Sequence, residues 1–339
     1  MLALRKLINK NLKSSPTIST INRYFTTGTA NSISETPSSA YYDELINNAG
    51  RDRDFATVQQ LLSKRFRDGC FNTNHTFKFI STDISILDDL LKALARLENG
   101  FPRKSAHDCL IAQLCRLPRM QDAVRVAEIM VRKQYGANAT TFHPILNALT
   151  RKKAMDEVWR VMEMMRVCEI EPDVTAYNSI LTAYCFSGDL NSAASVLSRM
   201  VEEGKVADTR TYDALVLGAC RAGKIEGALR LLRRMAYEGV LPLYSTHAHV
   251  INAMVKNGYY AQAVEFVMSF AGKDKGLDTE NFEILGVRLI NSKRDYEAKF
   301  VVEEMVRRGL AMGEKLKDFY HVLCATEGYI SIHRTSSVK

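Results

Sequence analysis

The chain has 339 residues, 46% of them hydrophobic and 25% charged, with a formal net charge of +8. That balance supplies enough apolar material for a sizeable core and excludes a chain kept unfolded by its own charge. No apolar run approaches the roughly 18 residues of a membrane-spanning helix, so membrane insertion is not expected. The seven cysteines (Cys70, Cys109, Cys115, Cys168, Cys185, Cys220 and Cys324) contain no C-x-x-C pair and read as reduced thiols.

The first 34 residues differ in kind from the rest. They hold Arg5, Lys6, Lys10, Lys13 and Arg23 and no acid, with Leu4, Leu7, Ile8 and Leu12 as an apolar stripe ahead of a Ser/Thr-rich run. An amphipathic, basic, hydroxyl-rich and acid-poor leader has the makeup of an organellar transit peptide. Residues 1–34 are therefore expected to be a disordered mitochondrial transit peptide, with the chloroplast as the lesser option and a plain basic tail as the bland one. They carry five of the cations, so the remainder holds 41 Lys+Arg against 38 Asp+Glu, a net of +3. Bulk charge then says little about nucleic acid, and any such case rests on placement.

From residue 39 the same residue types return every 35 positions. Residues 39–73 keep Tyr42, Leu45, Ile46, Val58, Leu61 and Gly69, while 74–103 is five residues short and predicts a unit with a shortened first helix. Full units follow at 104–138, 139–173, 174–208, 209–243, 244–278 and 279–313. The clearest is 174–208, where Tyr177, Ile180, Leu181 and Tyr184 make one helical stripe and Ala193, Val196, Leu197 and Met200 a second. Between them Gly188 suits a left-handed helix end and Asp189 an N-cap. Met130, Met165, Met200, Met235 and Met305 share one phase, as do Ala123, Ala193, Ala228, Ala263 and Ala298; these columns report packing rather than chemistry. Pro102, Pro172 and Pro242 fall at one phase, before a first helix. Residues 314–339 close the chain, with a capping helix over Lys315–Glu327 that turns Leu316, Phe319, Tyr320 and Leu323 inward, then a frayed tail from Gly328.

A helix pair this small cannot bury both of its stripes alone, so a sustained period of this length implies stacked pairs. The 35-residue unit, its (V/T)-x-x-Y-N-x-(I/L)-L opening and its M-x-x-x-G-x-x-x-D ending resemble the pentatricopeptide repeat family, of the plain P-class found in plant organelles. The tetratricopeptide alternative has a 34-residue period and a Trp-Leu-Gly signature that is missing here. The resemblance covers residues 39–313 and implies an all-α fold, a right-handed α-solenoid of stacked antiparallel helix pairs.

Equal phases line up in such a stack. Arg51, Arg116, Arg151, Arg221 and Lys256 all fall just after a first helix, with Phe186 in the gap, so they are expected to form a ribbon suited to a phosphate backbone. Solvated helix-end cations are the plainer explanation. In the family, the residue after the opening aromatic and the last residue of a unit read one base per repeat. Carried over, the resemblance makes Asn178 with Asp208 a uracil-favouring pair, alongside Asp108 with Asn138 and His143 with Asp173. Asp213 and Asp278 are further candidates, but their partners are Leu243 and Ala248, and Glu283 pairs only with Gly313. The sandwiching position, usually Val or Ile in the family, is Ser105, Thr140, Thr175, Arg210, Ser245 or Glu280, so little base preference is expected.

The seven histidines form no metal-ligand spacing with cysteine, His247 takes the phase of the opening aromatic, and Trp159 reads as packing. No catalytic residue, cofactor or metal is expected. The expectation is a monomeric, non-catalytic adaptor of the mitochondrial matrix that binds single-stranded organellar RNA over about six to eight nucleotides and acts in its processing, stability or translation. The competing expectation is a structural or assembly protein of the mitochondrial ribosome or another organellar complex, in contact with ribosomal proteins or ribosomal RNA.

Overall fold

The computed structural model describes residues 37–80 and 85–336, with side chains of the last helix as far as Ala325. The expected transit peptide, residues 1–34, lies outside the described residues. Among these, sixteen helices follow one another without a strand: α1 (Ser39–Arg51), α2 (Phe55–Arg67), α3 (Leu87–Ala95), α4 (Phe101–Arg116), α5 (Met120–Arg132), α6 (Ala139–Arg151), α7 (Met155–Val167), α8 (Val174–Ser187), α9 (Leu190–Glu202), α10 (Thr209–Arg221), α11 (Ile225–Glu238), α12 (Tyr244–Lys256), α13 (Tyr260–Phe270), α14 (Lys275–Asn291), α15 (Asp295–Arg307) and α16 (Glu314–Ser336).

The pair α8–α9 shows how local sequence makes the unit. The Asp173 carboxylate accepts the Ala176 amide at 2.9 Å and opens α8; Gly188 closes it at φ 81°, and Asp189 accepts the Ser192 amide at 3.0 Å to open α9. Tyr177, Ile180, Leu181 and Cys185 are buried from α8, and Ala193, Val196 and Met200 from α9. Tyr184 and Leu197 are only half-buried. The left-handed residue returns in the same turn at Lys153, Gly223, Gly258 and Lys293. The two lysines pay for it in strain that glycine avoids.

First helices stack on first helices. Successive contacts join α4 to α6, α6 to α8, α8 to α10, α10 to α12 and α12 to α14, while α5, α9, α11 and α13 each pack on their own and the following first helix and α7 packs on α6. The first helices thus form a continuous layer, and residues equivalent by repeat phase come to lie along it. The opening position is filled by Tyr42, Phe142, Tyr177, Tyr212 and Phe282, all buried, with His107 and His247 in the same place and equally buried.

Besides α4, which starts at Phe101 and so holds Pro102 in its first turn rather than ahead of it, three elements depart from the expected register. Residues 74–79 form hydrogen-bonded turns rather than a shortened first helix. The stretch is dominated by Asn, Thr, His and Phe, poor helix formers whose polar members compete for the backbone. Phe77 and Ile80 still reach the core, and Asn47 clips the segment by donating to the His75 carbonyl at 2.8 Å and accepting the Phe79 amide at 2.7 Å. Buried Arg65 completes the tie, 2.9 Å from the Asp43 carboxylate and 3.0 Å from the Thr76 hydroxyl. The second departure is α14, which starts four residues early because Asp274 caps it, accepting the Gly276 amide at 2.8 Å. The third is α16, which runs through Gly328 to Ser336 where a frayed tail was expected. No proline follows Gly328, and one interior glycine costs only about 1 kcal/mol.

Candidate nucleic-acid interface

Each cation of the expected ribbon is the last residue of a first helix: Arg51 of α1, Arg116 of α4, Arg151 of α6, Arg221 of α10 and Lys256 of α12. A cation there complements the helix dipole, and all five side chains are exposed. Stacking of the first helices from α4 to α12 sets the ends bearing Arg116, Arg151, Arg221 and Lys256 along one layer, whereas α1, with Arg51, packs on α2 rather than on α4. Arg116 and Arg151 line one cavity of about 660 Å³ together with His143. Arg151 also lines the adjoining cavity of about 680 Å³, with Asn178, Phe186 and Arg210. The Arg221 guanidinium lies 4.0 Å from the centroid of the Phe186 ring. From Arg116 to Arg221 the row is continuous. Its members are not equally available, since Arg116 donates to the Asn74 carbonyl at 3.0 Å and to Gln113, and Arg51 donates to Asn48.

The base-reading candidates are held in a different way. Asn178 donates from Nδ2 to Asp208 at 2.9 Å, while its Oδ1 accepts the Thr211 hydroxyl at 2.8 Å. Burial alone would push the Asp208 carboxyl up, but the Thr211 amide and Asn178 amide hold it below the ordinary carboxylate range. His143 Nε2 is 2.9 Å from Asp173. Asp108 accepts the Thr141 hydroxyl at 2.8 Å and a bond from Lys104. It meets Asn138 only through Thr141, whose hydroxyl also accepts the Asn138 amide at 3.3 Å. Asp213 accepts Thr246 at 2.7 Å and Ser245 at 3.0 Å, with His249 nearby. The same rung joins Asp43 to Thr76 at 2.8 Å. In four of these first helices a polar residue, Asp43, Asp108, Asn178 or Asp213, bonds a threonine 33 positions later, near the start of the next unit, whereas His143 meets Asp173, 30 positions on.

Asp278 needs correction. It does not end a unit at a helix start, because α14 begins at Lys275 and leaves it inside the first turn. It is buried and accepts the Gly272 amide at 2.7 Å, facing the core rather than the groove.

Sequence reasoning missed Arg210 and Lys153, which line the larger cavity beside Arg151. Arg210 stands at the position that the family fills with an apolar wedge, and Lys153 carries its charge on a left-handed turn residue with φ 59°. Trp159 is half-buried, its indole donating to the Tyr184 hydroxyl at 3.3 Å. Among the described residues no group of three or more His, Cys, Asp or Glu is placed to hold a metal ion, and no helix is long and apolar enough to cross a membrane.

A layer of stacked first helices with a polar groove along it defines an α-solenoid repeat protein. Its sequence matches three descriptions of one repeat: the PPR repeat family over residues 172–221, the pentatricopeptide repeat domain over 125–186 and the PPR repeat over 210–240. Two mitochondrial pentatricopeptide repeat-containing proteins of Arabidopsis thaliana are similar along most of their length. One is 65% identical over 282 residues, covering 82% of this chain and 80% of the relative. The other is 46% identical over 285 residues, covering 82% and 81%. The chain belongs to the pentatricopeptide repeat family. Among solved structures, maize PPR10 in complex with an 18-nt psaJ RNA element aligns at a TM-score of 0.47 and 17% identity, over 88% of this chain. This chain spans about half (49%) of PPR10.

Proposed function

We propose that the protein is a non-catalytic RNA-binding adaptor of mitochondria, with single-stranded RNA lying along the first-helix layer and its phosphates on the row from Arg116 to Lys256. The family supports RNA as the partner, and the two mitochondrial relatives support the compartment, to which the acid-free leader also points. The observation that carries the reading is that Arg116 and Arg151 line two adjoining cavities of net positive lining, with Arg221 over the Phe186 ring in the wall of the second. Catalysis has no part in it. Occupying a segment of transcript would shield it from nucleases or hold it unpaired for processing or translation.

A second reading is favoured by one observation. The polar groups at the base-facing positions are largely consumed as rungs to Thr141, Thr211 and Thr246, which suits a solenoid used for its shape, as a structural part of the mitochondrial ribosome or another organellar complex. Salt dependence separates the two. Each phosphate contact on a single strand contributes about 0.7 to the slope of log K against log salt. The triple variant Arg151→Gln, Arg221→Gln, Lys256→Gln is expected to bind single-stranded RNA more weakly and to flatten that slope by about 2. An unchanged slope, or a wild-type protein that ignores RNA but co-sediments with mitochondrial ribosomes through a high-salt wash, would favour the scaffold.

A further inference from the structure

Phe186 occupies the one place in the cation row, between Arg151 and Arg221, where a charge is missing. The residue is 52% exposed. Nothing in the core demands a ring there, because α8 buries its opposite stripe, Tyr177, Ile180, Leu181 and Cys185. The ring is nevertheless held. The Arg221 guanidinium covers one face with its carbon 4.0 Å from the centroid, and a cation at that distance is attracted by the ring quadrupole and restrains its orientation. The ring also lines the 680 Å³ cavity, whose wall carries three cations, Arg151, Lys153 and Arg210, against one carboxylate. That carboxylate, Asp213, is already engaged by Thr246 and Ser245. An exposed, pre-oriented aromatic face beside unneutralised positive charge is the arrangement that takes an unpaired nucleobase, since every base has a π-face and every nucleotide brings a phosphate.

We propose that Phe186 is a stacking platform for one unpaired nucleobase, which lies on the ring face left open by Arg221 while the adjoining phosphates meet Arg151 and Arg210. The contact is sequence-tolerant, as it uses no base edge. It turns a gap in the backbone-binding row into its one anchor on a base. The proposal rests on the RNA-binding reading above and adds to it a contact that charge alone does not supply.

The test uses the full-length protein, an oligouridylate of about ten nucleotides and a strand with the same sugar–phosphate backbone but no bases. Phe186→Ala is expected to weaken oligouridylate binding about tenfold, as loss of one stacked base does. Phe186→Tyr and Phe186→Trp are expected to stay close to wild type, and Phe186→Leu to resemble alanine. On the baseless strand Phe186→Ala and wild type should bind equally. The salt slope should be the same for both, whereas Arg151→Gln should lower it. Because the side chain is exposed, far-ultraviolet circular dichroism of every variant should match wild type. If wild type binds oligouridylate and Phe186→Ala or Phe186→Leu binds it equally well, stacking is wrong and the RNA reading stands. If alanine weakens both strands alike, the ring acts through the backbone and stacking is again wrong. If wild type binds neither strand, the RNA reading itself falls and takes this proposal with it.

Discussion

His247 sits in α12 where Phe142, Tyr177, Tyr212 and Phe282 sit in their own helices, and it is just as buried. Its ring lies 4.4 Å from Phe270 and 5.4 Å from Phe266, centroid to centroid, and its Nδ1 pairs with the Asn281 amide at 3.0 Å. Burial is the main influence on its titration and pulls it down to about 4, against the smaller opposing effect of the Asn281 bond. Between about pH 6.5 and 4 the unfolded chain therefore takes a proton that the folded chain refuses. Stability should be full above that window and fall as pH is lowered through it, by up to about 3 kcal/mol from this residue. Chemical denaturation at stepped pH is expected to show a shallower decline for His247→Phe than for wild type; parallel curves would mean the ring titrates normally. That His247 belongs to the core is legible from its phase alone. The availability of Asn178, Asp108 and Asp213 is not, because their threonine partners lie 33 residues on, in the next unit, and a repeat alignment compares positions only at multiples of 35. The lining role of Phe186 was equally hidden, since by residue type it reads as an interruption.

At the level of helices, the contact between α8 and α10 depends on a side chain that is absent. A Cβ on Gly218 would lie 2.8 Å from the Cys185 sulfur and 3.2 Å from Leu190, and Cys185 is fully buried with its thiol pushed up to about 11 by burial. Gly218→Val should destabilise by about 1–3 kcal/mol through overpacking, despite valine's better helix propensity. Cys185→Ala in the same chain should recover part of the loss, giving a coupling of about 0.5–3 kcal/mol in a double-mutant cycle. Strict additivity would show that the two helices yield elsewhere. The small column containing Cys185 and Cys220 is visible in the sequence, but which glycine faces it is not, since that depends on how first helices slide along one another. Residues 74–80 show the other limit of sequence reasoning. Phe77 and Ile80 keep the apolar phase of a first helix, so the pattern predicts one. The outcome is decided by tertiary ties, Asn47 to the backbone at 75 and 79 and Arg65 to Asp43 and Thr76. Gly50 adds room, because a Cβ there would meet the Phe79 ring at 2.4 Å.

At the scale of the whole fold, the core of the described residues falls into two clusters. One runs from Tyr42 to Ala214 and the other from Tyr212 to Leu316, and they meet within α10. A stack in which each unit touches only its neighbours gains stability from local pairs and interfaces, so damage at one end should stay there. Leu316 of α16 tests this. It is fully buried, 3.0 Å from where a Cβ on Gly286 would sit, and it closes the apolar face that α14 and α15 would otherwise present to water. Leu316→Ala should remove about 2–5 kcal/mol from its own cluster. Hydrogen exchange is then expected to speed up in α14, α15 and α16, weaken towards α12, and leave the amides of α1, α2, α4 and α6 as protected as in wild type. Binding of RNA along the row from Arg116 to Arg221 should survive the same substitution, because those residues stand on helices stacked in the first cluster or at its border. A uniform loss of protection from α1 to α16 would instead mean that the two clusters fold as one, and that a repeat distant from the groove sets the stability of the groove.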